Sequence, residues 1–101
     1  EGFMDQLDRR GKNWRRRWFV IRDGFLFSFR TKETKKLRAR IPLYEAVLAE
    51  YQPDKEENAF KISTEKGEFI FKTENDEEMQ FWLNAILKEK FAIENAINTI
   101  E

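Results

Sequence analysis

The side chains of this sequence best equipped for chemistry are its arginines. Arg15, Arg16 and Arg17 stand between Trp14 and the run Trp18-Phe19-Val20-Ile21. Aromatic and β-branched residues favour a pleated, half-buried surface, so this stretch is expected to be a strand over 15–22. Alternation puts Arg15, Arg17, Phe19 and Ile21 on one face and Arg16, Trp18, Val20 and Arg22 on the other. The first face is cationic at one end and apolar at the other. Burying Phe19 and Ile21 holds Arg15 and Arg17 at the rim of a core, an unusual place for two charges unless an anion meets them. Guanidinium groups form bidentate hydrogen bonds to phosphate and carboxylate oxygens.

Composition removes several other chemistries. The chain has no cysteine and no histidine, which excludes disulfides, Cys/His zinc sites and imidazole acid–base catalysis. No metal or cofactor is expected. The acidic pairs Glu56-Glu57 and Glu77-Glu78 read as solvated charge, and the four glycines are too scattered to cradle a phosphate, so no enzyme activity and no catalytic residue are expected. No apolar run approaches the roughly 20 residues of a membrane span, and no signal-peptide pattern opens the chain. The lack of cysteine is compatible with a reducing compartment. The first residue is Glu1, and the sequence is expected to be one domain cut from a longer protein. Its 101 residues, with ten Phe and three Trp, suffice for a single core.

The 19 basic and 19 acidic residues cancel in total but not along the chain. Residues 1–40 carry 13 Lys/Arg against 5 Asp/Glu, and residues 41–101 carry 6 against 14. Such asymmetry points to a polyanionic partner, a nucleic acid or a membrane surface.

The elements that must position the arginines follow from periodicity and turn residues. Gly2 to Leu7 is a first strand, with Met4 and Gln6 on one face. The polar stretch 8–13 is a loop that holds Arg9, Arg10 and Lys12 as mobile cations beside the arginine run. Asp23-Gly24 is a hairpin turn leading into a strand over 25–30. After a loop at 31–35, Lys36, Arg38 and Arg40 alternate with Leu37, Ala39 and Ile41, which reads as a basic outer face over an apolar inner one, ended by Pro42. A weak strand over 46–51 and an acidic loop over 52–58 come next. Strands over 59–63 and 68–72 pair around Lys66-Gly67. The period then changes: Met79, Trp82, Leu83, Ile86 and Leu87 form a helical stripe, capped by Asn75 or Thr73. Lys88-Glu89-Lys90 is a polar break. Ile93, Ala96, Ile97 and Ile100 resume helical spacing, as an extension of the helix or as a second one. Seven strands followed by one helix predict a mainly β, antiparallel fold with the helix closing one end.

These residues resemble a pleckstrin-homology domain over positions 1–88, with 89–101 as a helical C-terminal extension. The resemblance rests on Gly2-Phe3-Met4, the Trp14–Ile21 run, Arg38 with Ile41-Pro42-Leu43, and Trp82 followed by Ile86. It implies two near-orthogonal antiparallel sheets of seven strands, a β-barrel or sandwich capped by a C-terminal α-helix. It also implies a phosphoinositide site at the barrel mouth. Arg15 and Arg17 match the basic pair of the second strand, Arg10 and Lys12 match loop positions that touch the headgroup, and Arg38 matches a fourth-strand arginine of the same pocket. Two positions depart from the binders' pattern. Gln6 stands where a first-strand lysine is usual, and Phe27-Ser28 occupy the region of a headgroup-contacting tyrosine.

The expected function is therefore a non-catalytic module at the cytoplasmic face of a membrane, peripherally bound through phosphoinositides or anionic lipid in general. With Gln6 one cation short, the anchor is expected to be electrostatic more than stereospecific. A protein-interaction module, within a signalling or GTPase-regulating protein and using the C-terminal helix, is the second reading. Nucleic acid ranks third, because aromatics at base-stacking spacing are not evident. Trp14 is expected at the base of a loop, covering the barrel, Trp18 against arginine stems, and Trp82 in the core.

Overall fold

The structure, a computed structural model, describes residues 1–33, 36–51 and 57–100. Parts of two expected loops, 34–35 and 52–56, and with them Glu56, lie outside the described residues. Seven strands and one helix follow in chain order: β1 (Gly2–Leu7), β2 (Trp14–Arg22), β3 (Phe25–Phe29), β4 (Leu37–Pro42), β5 (Val47–Tyr51), β6 (Ala59–Thr64), β7 (Gly67–Lys72) and α1 (Asp76–Ile100). The strands form one antiparallel ladder in the order β4-β3-β2-β1-β7-β6-β5. The expected fold class is thus the observed one, a seven-stranded antiparallel sheet with a C-terminal helix.

The ladder is uneven, and that shapes the molecule. β1 pairs with β2 over six residues but with β7 over only two, Asp5↔Lys72 and Gln6↔Phe71. At this short seam the sheet curls. Phe19 of β2 and Phe71 of β7 lie two strands apart, which in a flat sheet is about 9.5 Å. Their ring centroids are 5.4 Å apart, edge to face. Phe60 stacks on Phe71 at 5.3 Å, and all three phenylalanines are fully buried. Met4, Leu26, Leu43 and Ile62 fill the remaining space. Trp82 of α1 meets Phe19 at 6.5 Å and closes the core from the helix side. Aromatic pairs of this kind add about 0.5–1.5 kcal/mol each beyond area burial.

Local chemistry explains the turns. Asp23 and Gly24 both have positive φ, 52° and 83°, the type I′ geometry that matches the twist of a two-residue hairpin. Asn75 caps the helix, its Oδ1 accepting from the Glu78 N–H at 2.8 Å. Thr73 instead ties β7 to the helix start, donating to the Asn75 carbonyl at 2.8 Å.

Two of three expectations about this scaffold change, the first and the third. First, α1 runs unbroken through Lys88-Glu89-Lys90. Lys and Glu are good helix formers and polarity alone does not end a helix. Glu89 accepts from the Gly24 N–H at 3.2 Å, and Lys90 pairs with Glu94 at 3.0 Å. The tail therefore extends the helix; the side chains of Ile97 and Ile100 lie outside the described residues. Second, Pro42 ends β4 as expected, as its last residue, opposite Phe25. β4 is an edge strand, where a missing N–H costs no ladder bond. Third, β4 does not alternate as its sequence does. Ala39 faces Ser28, yet Leu37 faces Phe29, so Arg38 is the extra residue of a bulge. The bulge carries Leu37 to the outer face, beside Phe29 and Trp18, and leaves it 42% exposed.

Candidate functional site: a cationic mouth

Strand direction brings the cations to one end of the molecule. β2 begins where β3 ends and β4 begins, and the Leu7 end of β1 borders the β6–β7 turn. The β1–β2 loop, the β3–β4 loop and the β6–β7 turn therefore surround one mouth. The Asp23-Gly24 turn lies at the far end, covered by Glu89 and by Ile93, against which a Cβ on Gly24 would collide.

Arg15 and Arg17 project on the inner face, as expected. Arg15 stands opposite Gln6 and Arg17 opposite Met4, on the same face as buried Phe19. Arg15 is exposed and Arg17 half-buried. Burial first, and then the charges of Arg38, Arg30 and Arg15, hold the Arg17 pKa below the ordinary guanidinium value. Its Nη1 donates to the Arg16 carbonyl at 3.1 Å. Among the described residues no carboxylate lies within ion-pair distance of Arg17. The mouth end thus sets like charges around a partly desolvated guanidinium, with no carboxylate paired to it among the described residues.

The bulge in β4 matters here. Straight alternation puts Arg38 on the outer face with Lys36 and Arg40. As the unpaired bulge residue, Arg38 instead exerts the largest of the charge effects on Arg17. Arg30 was missed by sequence reading. Its signal was present, because Arg30 follows Leu26 and Ser28 at even spacing, and both are buried on the inner face.

Arg10 and Lys12 are exposed on the β1–β2 loop, at the Arg15 end of β2. The backbone that carries them is not the open polar stretch expected, because Asp8 organises it. The Asp8 carboxylate accepts from the Lys12 N–H at 3.0 Å and from Asn13 Nδ2 at 3.2 Å. The Asp8 N–H donates to the Asn13 carbonyl, and the Asp8 carbonyl accepts from Gly11, whose φ is +71°. The Lys12 N–H bond, aided by Asn13 and the Arg15 charge and opposed by slight desolvation, holds the Asp8 carboxyl below its ordinary range. The loop carrying two of the candidate cations is a closed turn.

Arg16 belongs to the opposite face. Its guanidinium lies 4.6 Å from the Phe3 ring centroid and 3.7 Å from Glu74 Oε1. The tryptophans divide similarly. Trp82 is in the core, as expected. Trp14 pairs with Leu7 on the outer face under the Lys72 ammonium, at 4.5 Å, instead of covering the barrel. Trp18 packs edge to face on Phe3 at 4.8 Å, with the Lys32 ammonium 5.5 Å from its ring centroid. Among the described residues no group of three acidic side chains is placed to hold a metal ion, and no helix is long and apolar enough to cross a membrane.

Comparison with known proteins gives a consistent answer. The family model described as "PH domain" matches residues 1–91. Cytohesin-2 of Mus musculus is 37% identical over 81 residues, which are 75% of this chain and 20% of cytohesin-2. Human pleckstrin homology domain-containing family A member 6 is 31% identical over 81 residues, 74% of this chain and 8% of that protein. The chain spans about a fifth or less of the length of such curated relatives. Among solved structures, the carboxyl-terminal PH domain of pleckstrin superposes with a TM-score of 0.78 at 25% identity, covering 88% of this chain and 92% of that one. The same pleckstrin domain in complex with D-myo-Ins(1,2,3,4,5)P5 superposes at 0.76, with 24% identity and coverage of 87% and 93%. PH domains are typically non-catalytic modules. With its seven antiparallel strands, its capping helix and a family match over nearly its whole length, this chain belongs to the PH-domain family.

Proposed function

We propose that this PH domain is a non-catalytic anchor that holds phosphoinositide headgroups at the mouth between its β1–β2 and β3–β4 loops. The observation that carries the reading is the half-buried Arg17, crowded by Arg38, Arg30 and Arg15 with no carboxylate beside it among the described residues. Like charge around a partly desolvated guanidinium is relieved by an anion, and guanidinium groups match phosphate oxygens in geometry. Arg15 and Arg17 hold the phosphates, Arg38 and Arg30 flank them, and Arg10 and Lys12 approach from the loop that Asp8 braces. The inositol pentakisphosphate bound by the pleckstrin domain supports this ligand class. Each basic residue near an anionic leaflet contributes about 1 kcal/mol, so the cluster localises the domain even without a shaped pocket. Gln6, opposite Arg15, donates a hydrogen bond but no charge, which favours anchoring by the total phosphate charge over recognition of one phosphate pattern. The domain then sits peripherally on the cytoplasmic face of a membrane.

The test is co-sedimentation with phosphatidylcholine vesicles containing a few per cent of a phosphoinositide. The wild type pellets with them, and Arg15→Ala/Arg17→Ala loses at least about tenfold in affinity, two charged hydrogen-bonding groups being removed at once. Equal sedimentation of the two proteins, or none by either, overturns the reading.

A further inference from the structure

The outer face of β1–β4 is not an ordinary solvated sheet face. A sheet with one face on the core normally turns polar side chains to water. Here Trp18 and Val20 of β2, Phe27 and Phe29 of β3, and the bulge-displaced Leu37 of β4 line a shallow outer groove of about 420 Å³. Its polar lining is cationic, Lys32 at the Phe29 end and Arg22 at the Phe25 end. Cations lie over the rings of this face. The Lys32 ammonium is 5.5 Å from the Trp18 centroid, the Arg22 guanidinium 5.5 Å from Phe27, and that of Arg40 5.4 Å from Phe25. Arg22 is also 3.6 Å from Asp23, both groups well exposed to solvent.

Three features select the occupant. The cations already stand over the rings that nucleobases would stack on, so a base must displace them, whereas a carboxylate pairs with them in place. The outer edge of β4 is guarded by the Arg38 bulge, by Pro42 and by charge, devices that discourage addition of another strand. The occupant therefore lies on the face, not along the edge. The groove runs along the flank from the mouth toward the Asp23-Gly24 turn, so a membrane that meets the mouth leaves it open. What remains is a ligand with apolar side chains and negative charge.

We propose that this flank docks an acidic segment of a partner protein, with its apolar side chains between Trp18 and Leu37 and its carboxylates on Arg22, Lys32 and Arg40. This site is separate from the phosphate mouth and does not depend on it.

The probe is a phage-displayed library of short random peptides, selected on the wild-type domain and counter-screened on Leu37→Asp/Arg22→Glu. Both positions are exposed, so the variant folds; its thermal melt and its sedimentation with phosphoinositide vesicles, matched to wild type, verify this independently of the groove. Enriched peptides are expected to place Asp or Glu beside Leu, Ile, Phe or Trp. They shift the amide resonances of Val20, Phe27 and Phe29, and bind the variant at least about tenfold more weakly. No enrichment, enrichment of basic peptides, or equal binding to the variant overturns the proposal. So does perturbation of these same amides by anionic phospholipid nanodiscs, which would make the flank a membrane surface, or by single-stranded oligonucleotides.

Discussion

Arg17 is where the proposed anion site meets the core-facing side of β2. Its charge is disfavoured by burial and by Arg38, Arg30 and Arg15, a cost to the ligand-free fold that a bound anion would offset. Arg17→Gln is therefore expected to leave the thermal midpoint of the ligand-free domain unchanged or raised while weakening vesicle binding. Differential scanning calorimetry beside sedimentation checks both; a lower midpoint would show Arg17 to be a structural residue. Asp8 has the opposite role. Its folded-state pKa lies below the unfolded value, so the order it gives the loop is complete above the unfolded pKa. That order is lost as pH falls through the folded value. The protection factors of the Gly11 and Lys12 amides, taken against the intrinsic exchange rate at each pH, should fall on acidification below the ordinary carboxylate range, and at neutral pH in Asp8→Ala. Exchange indifferent to both would mean that the loop is held some other way.

Among the elements, the β2–β3 hairpin and the far half of α1 act as one unit. Gly24 has φ +83°, is buried, donates to Glu89 and leaves no room for a Cβ beside Ile93. Gly24→Ala combines backbone strain with a displaced helix, and is expected to cost more than the roughly 1 kcal/mol of an ordinary αL substitution. Chemical denaturation measures it, and a loss below that figure would show that the helix end is only loosely applied. The bulge in β4 is the other decisive element. One unpaired residue leaves Arg38 out of the ladder and places Leu37 on the outer face, so a single local irregularity bears on both the proposed mouth and the outer flank.

At the scale of the whole molecule, a zero net charge conceals a polar object. Arg10, Lys12, Arg15, Arg17, Arg30 and Arg38 lie toward the mouth end, whereas the far end of the helix carries both signs, with Lys90 paired to Glu94. The separation is incomplete, since the β6–β7 turn at the mouth end carries both Glu65 and Lys66. A uniformly neutral particle shows little response to ionic strength. This one is expected to lose vesicle binding steadily as salt rises from about 0.05 to 0.5 M, where the screening length falls below the size of the mouth. A flat titration by sedimentation would mean that the cations do not act as one patch.

The sequence by itself determined every element whose cause is local. Apolar alternation set the strands, Asp23-Gly24 set a hairpin that needs two positive φ values, and the 3.6-residue stripe with Trp82 set the helix and its buried face. It also placed Arg15 and Arg17 on the core-facing side of β2, because period two leaves no other choice once Phe19 is buried. Tertiary structure decided what depends on partners distant in the chain. The bulge that redirects Leu37 and Arg38 arises from pairing with β3, and no alternation within β4 announces it. Arg30 joins the site only because β3 ends beside Arg17. The β1–β2 loop is closed by Asp8 reaching across five residues, which composition alone reads as an open polar stretch. Helix α1 continues through Lys88-Glu89-Lys90 on local propensity, and what the fold adds is a partner for Glu89 65 residues away, the Gly24 N–H.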